Sequence, residues 1–214
     1  MAQLTRPTDA GRPTKLGQPG DGAETMLKIV RSVVGDTEAE ALSDAARSDA
    51  YWVAHEFGIE RDEAGLFCER NVLRYRAFPV TTVRVGLGAS AYELARTLLA
   101  QQALHSDVDV SVHPDADVAG IDVHLHRGAV EGFTMVREPS DVFKARMAEG
   151  GGRRIRLLGS DPGLHELAPA IYVDARPACV SGRVELLRYL REQSVSITTH
   201  RFGSPIANDL ATIA

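Results

Sequence analysis

The spacing of apolar positions changes period several times along the chain, and each change marks an element. "AETMLKIVRSVV" places Met26, Leu27, Ile29, Val30, Val33 and Val34 at helical intervals, and Gly35 ends the run. "GDTEAEALSDAARSDAYWVAHEFG" continues with a helical reading, with Asp36 or Thr37 as the N-cap and Gly58 as the stop. These segments predict two packed helices, followed by the polar turn "IERDEAG".

Beyond that turn the period shortens. "VTTVRVGLG" reads as a strand, "SAYELARTLLAQQAL" as a helix and "VDVSV" as a strand. Such a β-α-β unit implies parallel strands joined by a right-handed crossover. "GIDVHLHRG" alternates with period two and predicts another strand. "SDVFKARMAEG" reads as a helix capped by Ser140, and "RRIRLLG" and "AIYVDA" as strands. "GRVELLRYLREQ" reads as a helix and "SVSITTHRF" as a final extended segment. The alternation predicts an α/β, Rossmann-like domain with a mainly parallel sheet, preceded by a helical pair. The expected organisation is a disordered leader or linker over 1–22, the helical pair over 23–64, the α/β domain over 65–192 and an extended tail over 193–214.

Composition narrows the function classes. A formal charge of −5 gives no electrostatic reason to expect nucleic acid or an anionic membrane as partner. No apolar run approaches the roughly 20 residues that span a bilayer, and the first residues lack the apolar core of a secretory signal. Cys68 and Cys179 are far apart and form no C-x-x-C pair, which fits reduced thiols in a cytoplasmic protein.

The chemistry-bearing pattern is "VRVGLGASAYELA", where a β-branched run meets G-x-G-x-x-A and then a helix. Gly86 would allow the tight turn, Gly88 a close backbone approach to phosphate, and Ala91 close helix–strand packing. Asp115 stands roughly where an acid would hold ribose hydroxyls, although it follows Pro114 beyond the strand end. A packed turn that holds nothing explains the same glycines. His124 and His126 alternate with Asp122 and could place two imidazoles on a metal, with His113 as a third ligand. A polar edge-strand face explains them equally well. Cys179 has no neighbouring His or Asn that would activate it, Cys68 stands beside Glu69 and Arg70, and both read as buried or merely tolerated thiols; the basic runs "RRIR" and "RYR" read as solvated strand faces.

Two stretches are more particular. "ERNVLRYR" and the closing "SGRVELLRYLREQSVSITTHRFGSP", with "AYWVAHEFGIERDEAGL" upstream, resemble the C-terminal region of bacterial proline utilization A enzymes, most closely the actinobacterial ones. These bifunctional proteins join proline dehydrogenase to L-glutamate γ-semialdehyde (1-pyrroline-5-carboxylate) dehydrogenase. The resemblance implies a non-catalytic, aldehyde-dehydrogenase-like domain that packs on the catalytic domain and helps enclose its active site. It also implies that NAD and FAD belong to the full-length enzymes and that this chain binds neither. The implied tail motif falls on Val195, Ser196, Thr198, Thr199, His200 and Gly203. Thr198 replaces the family's frequent Asn, and His200, Arg201 and Phe202 are bulkier than its Ala-rich stretch. An aldehyde dehydrogenase also needs a Cys nucleophile in a G-Q-x-C type of context and a Glu to activate water, and neither motif is present in this sequence.

Three functions compete on this reading. The first is a supporting domain of proline catabolism, partnered by a dehydrogenase domain or a second copy, with exposed apolar surface expected at Ile29, Val33 and Ile197. The second is a small NAD-binding oxidoreductase using Gly86, Gly88, Ala91 and Asp115. The third is a metal module using His113, His124 and His126.

Overall fold

The computed structural model describes residues 13–118, 120–121, 124, 130–151, 154–164, 167, 171–198, 200–201 and 204–205. The two predicted helices are α1 (Asp21–Val30) and α2 (Asp36–Trp52). α2 runs on through Val53–Phe57 with wider bonding, closed where Gly58 N–H donates to Val53 O at 2.8 Å. Gly35, rather than Asp36 or Thr37, is the N-cap of α2, which frees Asp36 and Glu38 to sit in the first turn against the helix dipole. Within the expected leader, the described residues lie along α2. Gly17 N–H donates to Arg47 O at 2.7 Å, and Lys15 Nζ sits 5.1 Å from the Trp52 ring.

The sheet elements follow as β1 (Glu69–Ala77), β2 (Val80–Val85), β3 (Asp107–Val112), β4 (Phe133–Arg137), β5 (Arg154–Leu158), β6 (Tyr172–Asp174) and β7 (Leu190–Thr198). Between them lie α3 (Ala91–Ala103), α4 (Ser140–Arg146) and α5 (Gly182–Leu186). Five strands form a parallel sheet in the order β4-β3-β2-β5-β6, so the expected α/β architecture is present. Strand order reverses between β2 and β5, the place where such sheets open a crevice at their carboxyl ends. β1 and β7 stand apart as an antiparallel ribbon. The short strands β8 (His200–Arg201) and β9 (Ser204–Pro205) pair after it.

Three local readings are corrected. Ile121 and His124, the residues of "GIDVHLHRG" described beyond its opening Gly120, are helical where its period suggested a strand, and the rest of the stretch lies outside the described residues. The strand on that side of the sheet is β4, in a stretch that carried no strand reading. The helix expected over 182–193 stops at Leu186, because Leu190–Thr198 is drawn into the ladder with β1. That ladder also makes "ERNVLRYR" a strand in its own right.

One sheet face buries Val83, Val85, Val110, Val112 and Leu158 against α3, whose Leu94 and Leu98 are fully enclosed. Ile29 and Val33, expected to be exposed, pack partly buried against this core. Ile197 is half-buried, and among the described residues the most exposed large apolar side chains are Phe67, just before β1, and Val80, at the start of β2. The other face carries Phe143, Met147, Ile155 and Leu157.

Charges are buried on both faces, which corrects the solvated reading of "RRIR". Arg156 is buried and donates to Asp174 O at 3.1 Å, while Arg154 stacks between Phe78 and Tyr172 at 4.8 and 4.6 Å. Arg96 of α3 grips both carboxylate oxygens of Asp49 of α2 at 2.8 Å and also donates to Cys179 O at 2.7 Å. Truncating one partner would strand the other charge in the interior, typically at about 3–5 kcal/mol.

Burial pushes the Asp49 carboxyl up to about 6, because the attraction of Arg96 offsets only part of the desolvation cost. Between its ordinary value of 3.8 and about 6, the folded protein therefore holds a proton that the unfolded chain has released. The Asp49 contribution is fully present below that window and is lost as pH rises through it. We expect the unfolding free energy of the wild type, measured relative to D49N by urea denaturation, to fall between about pH 4 and 6 and level off above. A difference independent of pH would show that the pair does not titrate there.

Candidate functional site

The glycine loop leaves β2 at the carboxyl edge of the sheet, beside the strand-order reversal. Gly86 N–H donates to Leu158 O at 2.8 Å, so the loop starts in contact with the end of β5. Leu87 and Ser160 then exchange two backbone bonds, Leu87 N–H to Ser160 O at 2.8 Å and Ser160 N–H to Leu87 O at 2.9 Å. A strap formed by Gly159, Ser160 and Asp161 thus lies directly on the glycine loop.

The contact accounts for two of the glycines, Gly86 and Gly159, on steric grounds. A Cβ on Gly86 would come within 2.2 Å of Ser160 O, and one on Gly159 within 2.5 Å of Ala89 N. Gly88 has φ +74 and open space around its Cβ position, so it supplies a left-handed turn rather than a close approach. Ala91 opens α3.

The helix N-terminus behind the loop is satisfied by its own side chains. Ser90 Oγ accepts from Glu93 N–H at 3.1 Å, and Glu93 Oε2 accepts from Ser90 N–H at 3.4 Å. This capping box places a carboxylate where a dinucleotide phosphate would sit. A phosphate arriving there would have to displace Glu93 and tolerate its charge. Asp115 lies past the end of β3 with its side chain 83% exposed, its N–H donating to His113 Nδ1 at 3.2 Å. The topology therefore brings Gly86, Gly88, Ala91 and Asp115 to one sheet edge, with the space between β2 and β5 spanned by the strap.

A buried polar cluster that sequence reasoning missed fixes the strap from below. Arg84 is fully buried; its Nε donates to Asp161 Oδ2 at 2.6 Å, and its Nη1 donates to Ser111 Oγ at 2.8 Å and Glu138 O at 3.0 Å. Its guanidinium also lies 4.8 Å from the Phe143 ring centroid. Burial alone would raise the Glu138 carboxyl, but hydrogen bonds from Arg146 and Ser111 outweigh it and hold the group below its ordinary value. The sequence signal was an arginine inside the apolar run "TTVRVG", a position that demands a buried partner.

The other candidates are only partly described. His124 is helical and His126 lies outside the described residues, as does Asp122. Among the described residues, no group of three or more His, Cys, Asp or Glu is arranged to hold a metal ion. Val195, Ser196 and Thr198 belong to β7, and His200 begins β8. Thr199 and Gly203 lie outside the described residues. A cavity of about 650 Å³ lies between the N-terminus of α1, α2 and the C-terminus of α3. Its wall includes Gln102, Ala103 and His105, which run into β3, so it sits at the opposite end of the sheet from the glycine loop. No helix among the described residues is long and apolar enough to cross a membrane.

No protein-family model matches the chain. No curated protein matches it by sequence. Solved structures do share its fold. Proline Utilization A from Corynebacterium freiburgense aligns with a TM-score of 0.51 and 24% identity, over 91% of this chain and 16% of that one. A variant of Proline Utilization A from Bradyrhizobium japonicum aligns at 0.53 and 17%, over 73% of this chain and 19% of that one. An NAD-dependent benzaldehyde dehydrogenase from Corynebacterium glutamicum aligns at 0.50 and 17%, over 72% of this chain and 39% of that one. The fold is thus of the aldehyde dehydrogenase, Rossmann-like type, and the chain spans less than a fifth of the proline utilization proteins it resembles.

The two loop glycines are expected to separate by role. Gly86→Ala should destabilise the protein by roughly 2–4 kcal/mol, since backbone must move to admit the methyl group. Gly88→Ala should cost only about 1 kcal/mol, the penalty of a left-handed residue. Urea denaturation of both variants checks the order, and equal losses would contradict the strap.

Proposed function

We propose that this chain is a non-catalytic supporting domain for an aldehyde dehydrogenase acting in proline catabolism, the oxidation of 1-pyrroline-5-carboxylate. The observation that carries this reading is the strap. Within a fold shared with NAD-dependent enzymes, the crevice between β2 and β5 is bridged by the chain's own backbone, through Leu87 and Ser160. The sequence also contains no G-Q-x-C motif to supply a thiolate nucleophile. A domain built this way contributes surface and rigidity to a neighbour's active site, and the neighbour supplies the cofactor and the thiol.

On this reading the chain binds no nucleotide, works in the cytoplasm and packs against a dehydrogenase catalytic domain. On the same reading the segment 193–214, with Val195, Ser196, Thr198, Thr199, His200 and Gly203 as its motif, serves as a tail toward that domain's active site. The resemblance of "ERNVLRYR" and of the closing stretch to proline utilization A supports the choice of substrate class.

The test is NADH formation from 1-pyrroline-5-carboxylate and NAD by a proline utilization A enzyme deleted of its C-terminal region. The assay is run with this chain, without it, and with the chain alone. We expect the mixture to exceed the truncated enzyme by at least tenfold and the chain alone to be inactive. Turnover by the chain alone would make the glycine loop a working cofactor site. An unchanged rate in the mixture would remove the supporting role.

A further inference from the structure

Thr81, Arg154, Arg156, Asp174, Arg188 and Tyr189 line a small cavity of about 10 Å³ between β2, β5, the end of β6 and the turn into β7. Arg156 and Arg188 are 2% and 6% exposed. Their Nη1 atoms are satisfied by backbone, Arg156 donating to Asp174 O and Arg176 O, and Arg188 to Arg176 O at 3.2 Å. Arg156 Nε, Arg156 Nη2, Arg188 Nε and Thr81 Oγ1 are buried without a hydrogen-bond partner among the described residues.

The nearby carboxylates are committed elsewhere. Asp174 Oδ1 accepts from Arg176 Nε at 2.9 Å, and its Oδ2 from Arg176 Nη2. Glu185 accepts from Tyr189 Oη through Oε1 and from Cys179 N–H through Oε2. Arg156 Nη2 is left 4.0 Å from Glu185 Oε1, and Arg188 Nε 3.5 Å from Oε2. Those distances give attraction without a hydrogen bond. Burial would raise the Asp174 carboxyl, yet hydrogen bonds from Arg176 and the charges of Arg156 and Arg188 hold it at about 2. Arg154 adds a further cation, stacked between the Phe78 and Tyr172 rings. The potential in the cavity is therefore positive.

We propose that this cavity is a buried site for one chloride ion, held by Arg156 Nε–H and Nη2–H, Arg188 Nε–H and the Thr81 hydroxyl. The two Arg156 donors form one edge of the planar guanidinium fork and so aim in one direction. Three N–H donors and a hydroxyl call for a partner that only accepts. The volume admits one body of about the size of a water, which excludes phosphate, sulfate and carboxylates. A water would have two hydrogens to place where both carboxylates already accept. Buried donors left unpaired are costly, so the ion stabilises the fold by tying β2 and β5 to the turn into β7. The site lies toward the amino ends of β2 and β5, away from the glycine loop. It does not depend on the supporting role proposed above.

Urea denaturation in sodium chloride, against sodium gluconate at equal ionic strength, tests the site. Gluconate is too large to enter. The unfolding equilibrium constant should fall roughly tenfold in chloride and level off as the site fills. Thr81→Val removes one donor with little change of shape. It should raise the chloride concentration for half the effect by roughly threefold or more. Wild-type crystals grown in sodium bromide give a readout that needs no variant, an anomalous bromine peak between Arg156 and Arg188. A response equal to that in gluconate, or one that rises linearly without saturating, would overturn the proposal. So would a response unchanged by Thr81→Val, a water refined between the two arginines in bromide, or bromide bound only at exposed arginines such as Arg191.

Discussion

A guanidinium buried with no access to water must be matched in full, and Arg84 sets that requirement at the centre of this fold. It rises from the middle of the sheet to reach Asp161, Ser111 and the backbone at Glu138. Those partners belong to the segments that follow or form β5, β3 and β4. One side chain therefore fixes the relative positions of most carboxyl-edge loops. The pair contributes little net stability over an apolar replacement, but losing either member is costly, so its effect is to specify one arrangement. That arrangement holds Asp161, and with it the strap on the glycine loop.

The opposite face repeats the same physics with different consequences. Arg96 and Asp49 join α3 to α2, and the neighbouring Glu185 accepts from Tyr189 Oη at 2.7 Å and from Cys179 N–H at 2.8 Å. Gly182 N–H donates to Ser48 Oγ at 3.0 Å, bringing the backbone of α5 hard against α2. These contacts tie the helical pair to the segment that turns into β7. The helices are thus part of the base from which the ribbon projects.

Much of the architecture could be read along the chain because it is a local property. The crossover from β2 through α3 to β3 follows from one apolar strand, one capping box and one helical period. The failures all involve distant partners. "GRVELLRYLREQ" carries a helical spacing, yet its second half joins a strand, since residues 69–77 lie more than a hundred positions away with matching edges. "RRIR" looks like a solvated face until Asp174 and Glu185 fold over Arg156, with Nη1 3.7 Å from Asp174 Oδ1 and Nη2 4.0 Å from Glu185 Oε1. "IDVHLH" alternates, but Ile121 and His124 are helical and the sheet takes "FTMVR" as its edge.

The glycine loop shows how a motif can be legible in form and ambiguous in use. G-x-G-x-x-A reports that something approaches the backbone closely after β2, and Gly86 meets that description. The identity of the approaching group is not encoded in the loop. It depends on Gly159, with φ +67, which lets the chain after β5 turn back across the crevice. It depends also on Arg84, which holds Asp161 beneath. An open crevice would leave the start of α3 to a phosphate, whereas here Ser90 Oγ already accepts from the Glu93 N–H and the Glu93 carboxylate from the Ser90 N–H. Strap, cap and buried arginine are separated in sequence and agree in consequence. Each closes the carboxyl edge with the chain's own groups, and that agreement is the structural premise of the supporting role proposed above.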